Sequence, residues 1–191
     1  MNKIKEINQK DLAVTVEPGI IWKDLETKLN RGGLDLKLYP SSAPGSTVGG
    51  WLAQGGIGIG SFRYGKFNSL VQEVKIVTPQ GKQKTLQGKD IRLIAESMGT
   101  TSLITEITFS VKRRENIYKK ILAFDSLSQI EKFASRAYRK NIGFYTFSFI
   151  NPAMAKAKNK IEKNGEPLTE GKYNVLVSYF KDDKETVENF I

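Results

Sequence analysis

Eight of the chain's 17 glycines fall between Gly45 and Gly65, at positions 45, 49, 50, 55, 56, 58, 60 and 65. Glycine weakens helices and strands, but it permits positive φ and lets the backbone approach a ligand closely. The run Pro40-Ser41-Ser42-Ala43-Pro44-Gly45-Ser46-Thr47-Val48-Gly49-Gly50 follows neither a helical nor a strand period. Loops this rich in Gly, Ser and Thr present dense arrays of N–H groups, which suit phosphate oxygens, above all where a helix begins. Thr47 is placed to cap a helix from Val48. Gly49 and Gly50 would then leave bare amides in its first turn, where a pyrophosphate would sit. The spacing is not that of a Walker loop, because no Gly-Lys-Ser/Thr follows, nor that of a Rossmann turn. Two readings stand at this point: an anion-binding loop, or a tightly packed glycine loop between sheet elements.

The flanks supply those elements. Val14–Glu17 reads as a strand closed by Pro18-Gly19. Ile21, Trp22, Leu25 and Leu29 recur at helical spacing, so a helix is expected over Ile21–Arg31, with Gly32 and Gly33 as its stop. Leu34–Tyr39 alternates as a strand. Val71–Val77 and Gln83–Leu86 flank the turn Thr78-Pro79-Gln80-Gly81. Lys89–Ser97 suits a short helix. Leu103–Val111 alternates, with Leu103, Thr105, Ile107, Phe109 and Val111 on one face. Lys112–Asn116 reads as a boundary between residues 1–113 and 114–191. Beyond it, strands are expected at Ile117–Phe124, Gly143–Phe149 and Tyr173–Phe180. Helices are expected at Leu127–Arg139, Pro152–Lys163 and Lys184–Phe190, with a loop at Asn164–Pro167. This order describes an α+β fold.

The chain has no cysteine and no histidine, which removes disulfides, thiol nucleophiles, the Ser-His-Asp triad and the usual zinc ligands. No apolar run approaches the ~20 residues that span a bilayer, and Met1–Lys10 is charged without a signal core; the expected location is the cytoplasm. The net charge is +10. It is spread along the chain, and a solvated lysine-rich surface accounts for it as well as an anionic partner does.

The segment from Pro40 to Arg63-Tyr64-Gly65 resembles the second half of the FAD-binding domain in the FAD-linked oxidase superfamily, the vanillyl-alcohol oxidase and p-cresol methylhydroxylase type. Its branch with glycolate oxidase and D-lactate dehydrogenase flavin subunits and alkyl-dihydroxyacetonephosphate synthase is the most similar. Three further segments match in order: Val14–Gly19 with Trp22–Leu25, Val74–Gly81, and Met98-Gly99-Thr100-Thr101-Ser102-Leu103-Ile104-Thr105-Glu106. The resemblance covers roughly residues 12–113. It implies a mostly antiparallel sheet flanked by helices, the second subdomain of such an FAD-binding domain, followed by the start of an α+β cap domain.

The resemblance also implies contacts to FAD. These fall on Pro40, Ser41, Ser42, Gly45, Ser46, Thr47, Val48, Gly49 and Gly50, on Ala53, Gln54, Gly55 and Gly56, and on Gly99, Thr100, Ser102 and Ile104. Ser102 stands where the family has glycine, and Met98 where an acidic residue is common. Attachment of the flavin to histidine is ruled out, as the chain has none, and the expected FAD is non-covalent and shared with a partner chain. The family's pyrophosphate-gripping subdomain would lie before Met1; a second chain carrying it is the expected partner, and a homo-oligomer is the alternative. No catalytic residue is named. The implied activity is that of an FAD-dependent dehydrogenase or oxidase of small 2-hydroxy acids, and the alternative is a non-catalytic remnant that does not bind flavin.

Other features have plainer readings. Arg63 and Tyr64 either touch a ligand or are solvated and packed, respectively. Tyr138, Phe144, Tyr145, Phe147 and Phe149 are expected in the core. Lys156, Lys158, Lys160 and Lys163 read as a solvated helix face, and no nucleic-acid motif is present. A membrane-surface role rests on charge alone.

Overall fold

Two short strands open the chain. Ile4–Asn8 (β1) pairs antiparallel with Ala13–Val16 (β2), whose Val14 and Val16 are buried. β1 was not legible beneath its charges. The computed structural model describes residues 1–161 and 165–191 and divides into two units, Met1–Arg114 and Glu115–Ile191.

In the first unit, Trp22–Arg31 (α1) buries Trp22, Leu25 and Leu29, one stripe at helical spacing. It stops at Gly32, and Gly33 follows at φ 74°. Of the strand expected over Leu34–Tyr39, Leu34–Asp35 (β3) forms; Tyr39 makes a lone bridge to Ile59. Two short helices follow, Val48–Gln54 (α2) and Ser61–Tyr64 (α3). Val71–Val77 (β4) and Gln83–Gln87 (β5) form the expected hairpin, with Gly81 at φ 76°. The helix expected over Lys89–Ser97 is a 3-10 turn at Gly88–Leu93. Leu103–Ser110 (β6) completes an antiparallel sheet of order β1-β2-β6-β4-β5.

The face assigned to β6 holds for Ile107 and Phe109 and fails for Leu103, which is 60% exposed. The β4–β6 register shifts between Lys75 and Ile76, so Ile76 pairs with Ile104 and Val77 with Leu103. A bulge of this kind reverses the alternation beyond it, and Ile104 packs inward instead. Part of the expected boundary is itself paired: Lys112–Arg113 (β7) lies against β3.

The core gathers the sheet's inner face, α1, α2 and Phe67. At its centre, the Phe67 ring lies 5.1 Å from Trp22, 5.4 Å from Trp51 and 5.0 Å from Phe109. Tilted and edge-on contacts of this kind add roughly 0.5–1.5 kcal/mol each beyond area burial.

The second unit is a three-stranded antiparallel sheet of Ile117–Phe124 (β8), Phe144–Ile150 (β9) and Tyr173–Phe180 (β10), in the order β8-β10-β9. Leu127–Arg139 (α4) and Lys184–Phe190 (α6) bury Ile130, Phe133, Ala137 and Val187 with Val175, Val177 and Tyr179. Ser126 Oγ caps α4 by accepting from the Gln129 amide. Pro152–Ile161 (α5) buries Ala155. Its expected last turn to Lys163 and the loop residue Asn164 lie outside the described residues, as does Lys163 of the basic cluster. Lys156 and Lys160 are exposed.

Of the aromatic run expected in the core, Phe144 and Tyr145 are buried, whereas Phe149 is 51% and Tyr138 81% exposed. Tyr138 follows the fully buried Ala137 and is carried round to the outer side of α4. Among the described residues, no helix is long and apolar enough to cross a membrane.

Candidate functional site

Thr47 does cap α2, in extended geometry, with its Oγ1 accepting from the Gly50 amide at 3.2 Å. The first-turn amides, however, are not bare. Val48 N–H donates to Ile20 O at 3.0 Å, Gly49 N–H to Pro18 O at 2.8 Å, and Trp51 N–H to Thr47 O at 3.0 Å. The expectation of a pyrophosphate grip at Gly49 and Gly50 is therefore corrected: the turn after β2 takes up one amide, the cap another. Gly49 is glycine because a Cβ there would lie 2.4 Å from Pro18 Cβ. Here the packed-loop reading holds.

The loop ahead of α2 folds on itself. Ala43 N–H donates to Pro40 O, and the Gly45 and Ser46 amides both donate to Ser42 O. Its carbonyls serve α1, with Trp22 N–H donating to Ser46 O and Lys23 N–H to Ala43 O, which replaces a side-chain cap at that helix start. Ser41, Ser42 and Gly45 remain exposed, whereas Pro40 is buried. Among the hydrogen bonds of the described residues, none is donated by the Ser41 or Ser42 backbone. A Cβ on Gly45 would meet nothing within 4 Å.

At its other end, α2 stops at Gly55 (φ 97°), and Gly56 N–H returns to Trp51 O. Its last carbonyls are taken by a distant segment: Glu96 N–H donates to Leu52 O at 3.3 Å and Met98 N–H to Ala53 O at 2.9 Å. This joins two motifs about 45 residues apart in sequence, Ala53–Gly56 and Met98–Ile104. Glu96 (φ 63°), Met98 (φ 53°) and Gly99 (φ 76°) all have left-handed backbone. Such strain concentrates at ligand-binding segments. Lys66 Nζ holds Glu96 Oε1 at 2.6 Å, and Glu96 Cγ would lie 2.8 Å from a Cβ on Gly55. Sequence reasoning missed Glu96 and Lys66, since no local pattern marks a left-handed glutamate.

Ser102 stands where glycine was expected and does not require it: its φ is not positive. Its Oγ is buried and has no partner among the described residues. Gly99 and Thr100 are exposed, and Gly99 faces open space. Val48, Gly49 and Gly56 are buried, and Ile104 packs on the core, so these four shape the surface from beneath. Gly50 and Gln54 are exposed, and Ala53, Gly55, Ser46 and Thr47 are partly so. Arg63 is exposed, while Tyr64 packs on the core and has the Arg63 guanidinium 6.0 Å from its ring centroid.

Residues 1–87 match the family model of an FAD binding domain. The chain is 30% identical over 180 residues to the mitochondrial D-lactate dehydrogenase [cytochrome] of Arabidopsis thaliana, covering 89% of this chain and 31% of that protein. It is 27% identical over 190 residues to glycolate oxidase subunit GlcD of Bacillus subtilis, covering 86% and 40%. A solved structure of alkyldihydroxyacetonephosphate synthase superimposes at TM-score 0.79 and 19% identity, over all of this chain and 40% of that one. The chain thus spans between about a third and two fifths of these relatives.

The residues present fit part of an FAD site. The orphaned Ser102 Oγ, the open faces of Gly45 and Gly99 and the exposed residues Ser41 and Ser42, whose amides donate to no described residue, offer donors and close approach without a clash. From Pro40 to Phe62 there is no charged residue, in a chain that is 26% charged. By its matched domain and its relatives, the chain carries an FAD binding domain of the FAD-linked oxidase type, whose cofactor is FAD.

Proposed function

We propose that this chain provides one wall of the FAD site in an oxidoreductase that acts on a small 2-hydroxy acid. The observation that supports the reading is the hydrogen bond from Met98 N–H to Ala53 O, which joins two segments that the family resemblance assigns to the flavin. When bound, FAD accepts a hydride from the substrate. Ser41 and Ser42 would donate backbone N–H bonds to the cofactor, and Ser102 Oγ would find in it the partner that the protein does not supply. Gly45 and Gly99 would let the ligand lie against the main chain. Ser46, Thr47, Gly50, Ala53, Gln54, Gly55 and Thr100 would complete the lining.

With the amides of Val48 to Gly50 engaged internally, the pyrophosphate needs another cradle. A second polypeptide carrying the family's N-terminal loop is the proposed source. The proposed location is the cytoplasm, on the sequence alone. Co-expression with a chain carrying that loop should yield yellow protein with flavin absorbance bands, and this chain purified alone should be colourless. Colourless protein from every such pairing would overturn the reading.

A second reading draws on the same internal amides: a remnant that folds without flavin. Size-exclusion chromatography of the co-expressed pair with an absorbance scan separates the two, since a remnant elutes at its own size and stays colourless even with the second polypeptide and FAD present.

A further inference from the structure

Leu34, Leu36 and Leu38 are each at most 2% exposed, and the alternate residues Asp35, Lys37 and Tyr39 are each partly exposed. The two ends of that row are engaged. Asp35 Oδ2 accepts from Lys112 Nζ at 3.4 Å, and its Oδ1 from the Leu36 amide at 2.8 Å. The Tyr39 hydroxyl interacts with Glu26, whose carboxylate also holds Lys23 Nζ at 2.8 Å. The middle of the row is different. Lys37 is half-buried, and among the described residues no carboxylate lies within ion-pair distance of it. Its Nζ sits 5.8 Å from the centroid of the Tyr64 ring, and the Arg63 guanidinium lies 6.0 Å from the same ring.

A ring face attracts a cation but does not neutralise it. Lys37, three residues ahead of the charge-free Pro40–Phe62 stretch in the chain, brings a positive charge to the Tyr64 ring. Burial holds the Lys37 amine below the usual lysine range, the mark of a charge without compensation. We propose that Lys37, seated on Tyr64, is the anchor of an oxyanion site, taking a phosphate or carboxylate group of the ligand bound at the glycine-rich surface. This deepens the flavin reading and rests on it for the anion's source, which is either the cofactor's pyrophosphate or the substrate's carboxylate.

The test is site-resolved acetylation of the full chain with an N-hydroxysuccinimide ester, read by mass spectrometry, at matched ionic strength. The probes are inorganic pyrophosphate, oxalate and sulfate. Lys37 should be protected about tenfold, the equivalent of one charge-assisted hydrogen bond, while Lys82 and Lys84 stay unchanged. Protection by pyrophosphate alone assigns the site to the cofactor's phosphates, and protection by oxalate alone assigns it to the substrate's carboxylate. Calorimetric titration with the protecting probe should then fail for Lys37→Met and persist for Lys37→Arg. Equal protection by sulfate, or none by any probe, overturns the proposal. Flavin absorbance after co-expression judges the larger reading separately: colourless protein with Lys37 protected sinks that reading alone, and yellow protein with Lys37 unprotected sinks this one alone.

Discussion

The Gly49 amide donates to the Pro18 carbonyl at 2.8 Å, and the same closeness leaves no room for a side chain at position 49. Alanine would gain up to ~1 kcal/mol of helix propensity over glycine. It would also drive a methyl group to 2.4 Å from Pro18 Cβ, and overpacking of this kind costs about 1–3 kcal/mol. The clash should win, so Gly49→Ala is expected to lower stability in urea unfolding. Gly45→Ala should leave the urea midpoint nearly unchanged, because a Cβ there meets open space, and should weaken FAD uptake in the co-expressed complex.

Thr47→Ala should cost about 1 kcal/mol by removing the α2 cap, while Thr47→Ser should retain most of it. Thermal unfolding followed by circular dichroism would show the ranking wild type, then serine, then alanine. Equal melting of all three would mean that the 3.2 Å bond from Gly50 contributes nothing.

Ser102→Ala offers a test in which stability and binding move in opposite directions. A buried hydroxyl without a partner costs about 1–3 kcal/mol, so its removal should raise the melting temperature of the ligand-free protein. If Ser102 Oγ meets the cofactor, the same variant should bind FAD more weakly by fluorescence titration. Lower stability of the free protein would show that the hydroxyl has a partner after all.

Glu17 accepts the Lys3 backbone N–H at 2.9 Å, and this bond holds its carboxyl below the usual glutamate range. A lowered folded-state pKa contributes stability that is present above the ordinary glutamate value of 4.5 and is lost as pH falls through the folded value. Amide exchange at the β1–β2 end should therefore speed up on acidification beyond its intrinsic pH dependence. Glu17→Gln should abolish that excess.

Local signals in the sequence were enough for α1, α4, the β4–β5 hairpin and the Thr47 cap, because each is set by near neighbours: a periodic stripe, a Pro-Gly turn, a hydroxyl three residues from its amide. The failures share a cause. Leu103 turned outward because of a bulge created by pairing with β4. The Val48 and Gly49 amides were consumed by Ile20 and Pro18, about 30 residues earlier in the chain. Lys37 gave no sign in the sequence of lacking a counter-ion, since its neighbours' partners, Lys112 and Glu26, come from separate elements. The outline of the site was thus readable, but which of its groups stay available was decided by contacts between segments far apart in the chain.

Phe67 donates its amide to the Gly56 carbonyl, its Cβ fills the space a side chain at Gly56 would need, and its ring sits among Trp22, Trp51 and Phe109. The glycine-rich bend is thereby riveted to the interior despite its bare composition. An incoming guest meets a face whose contour is set beforehand, so little of its affinity is spent on immobilising main chain. Loosening that rivet by Phe67→Leu should slow capture of the guest before it alters any atom the guest touches.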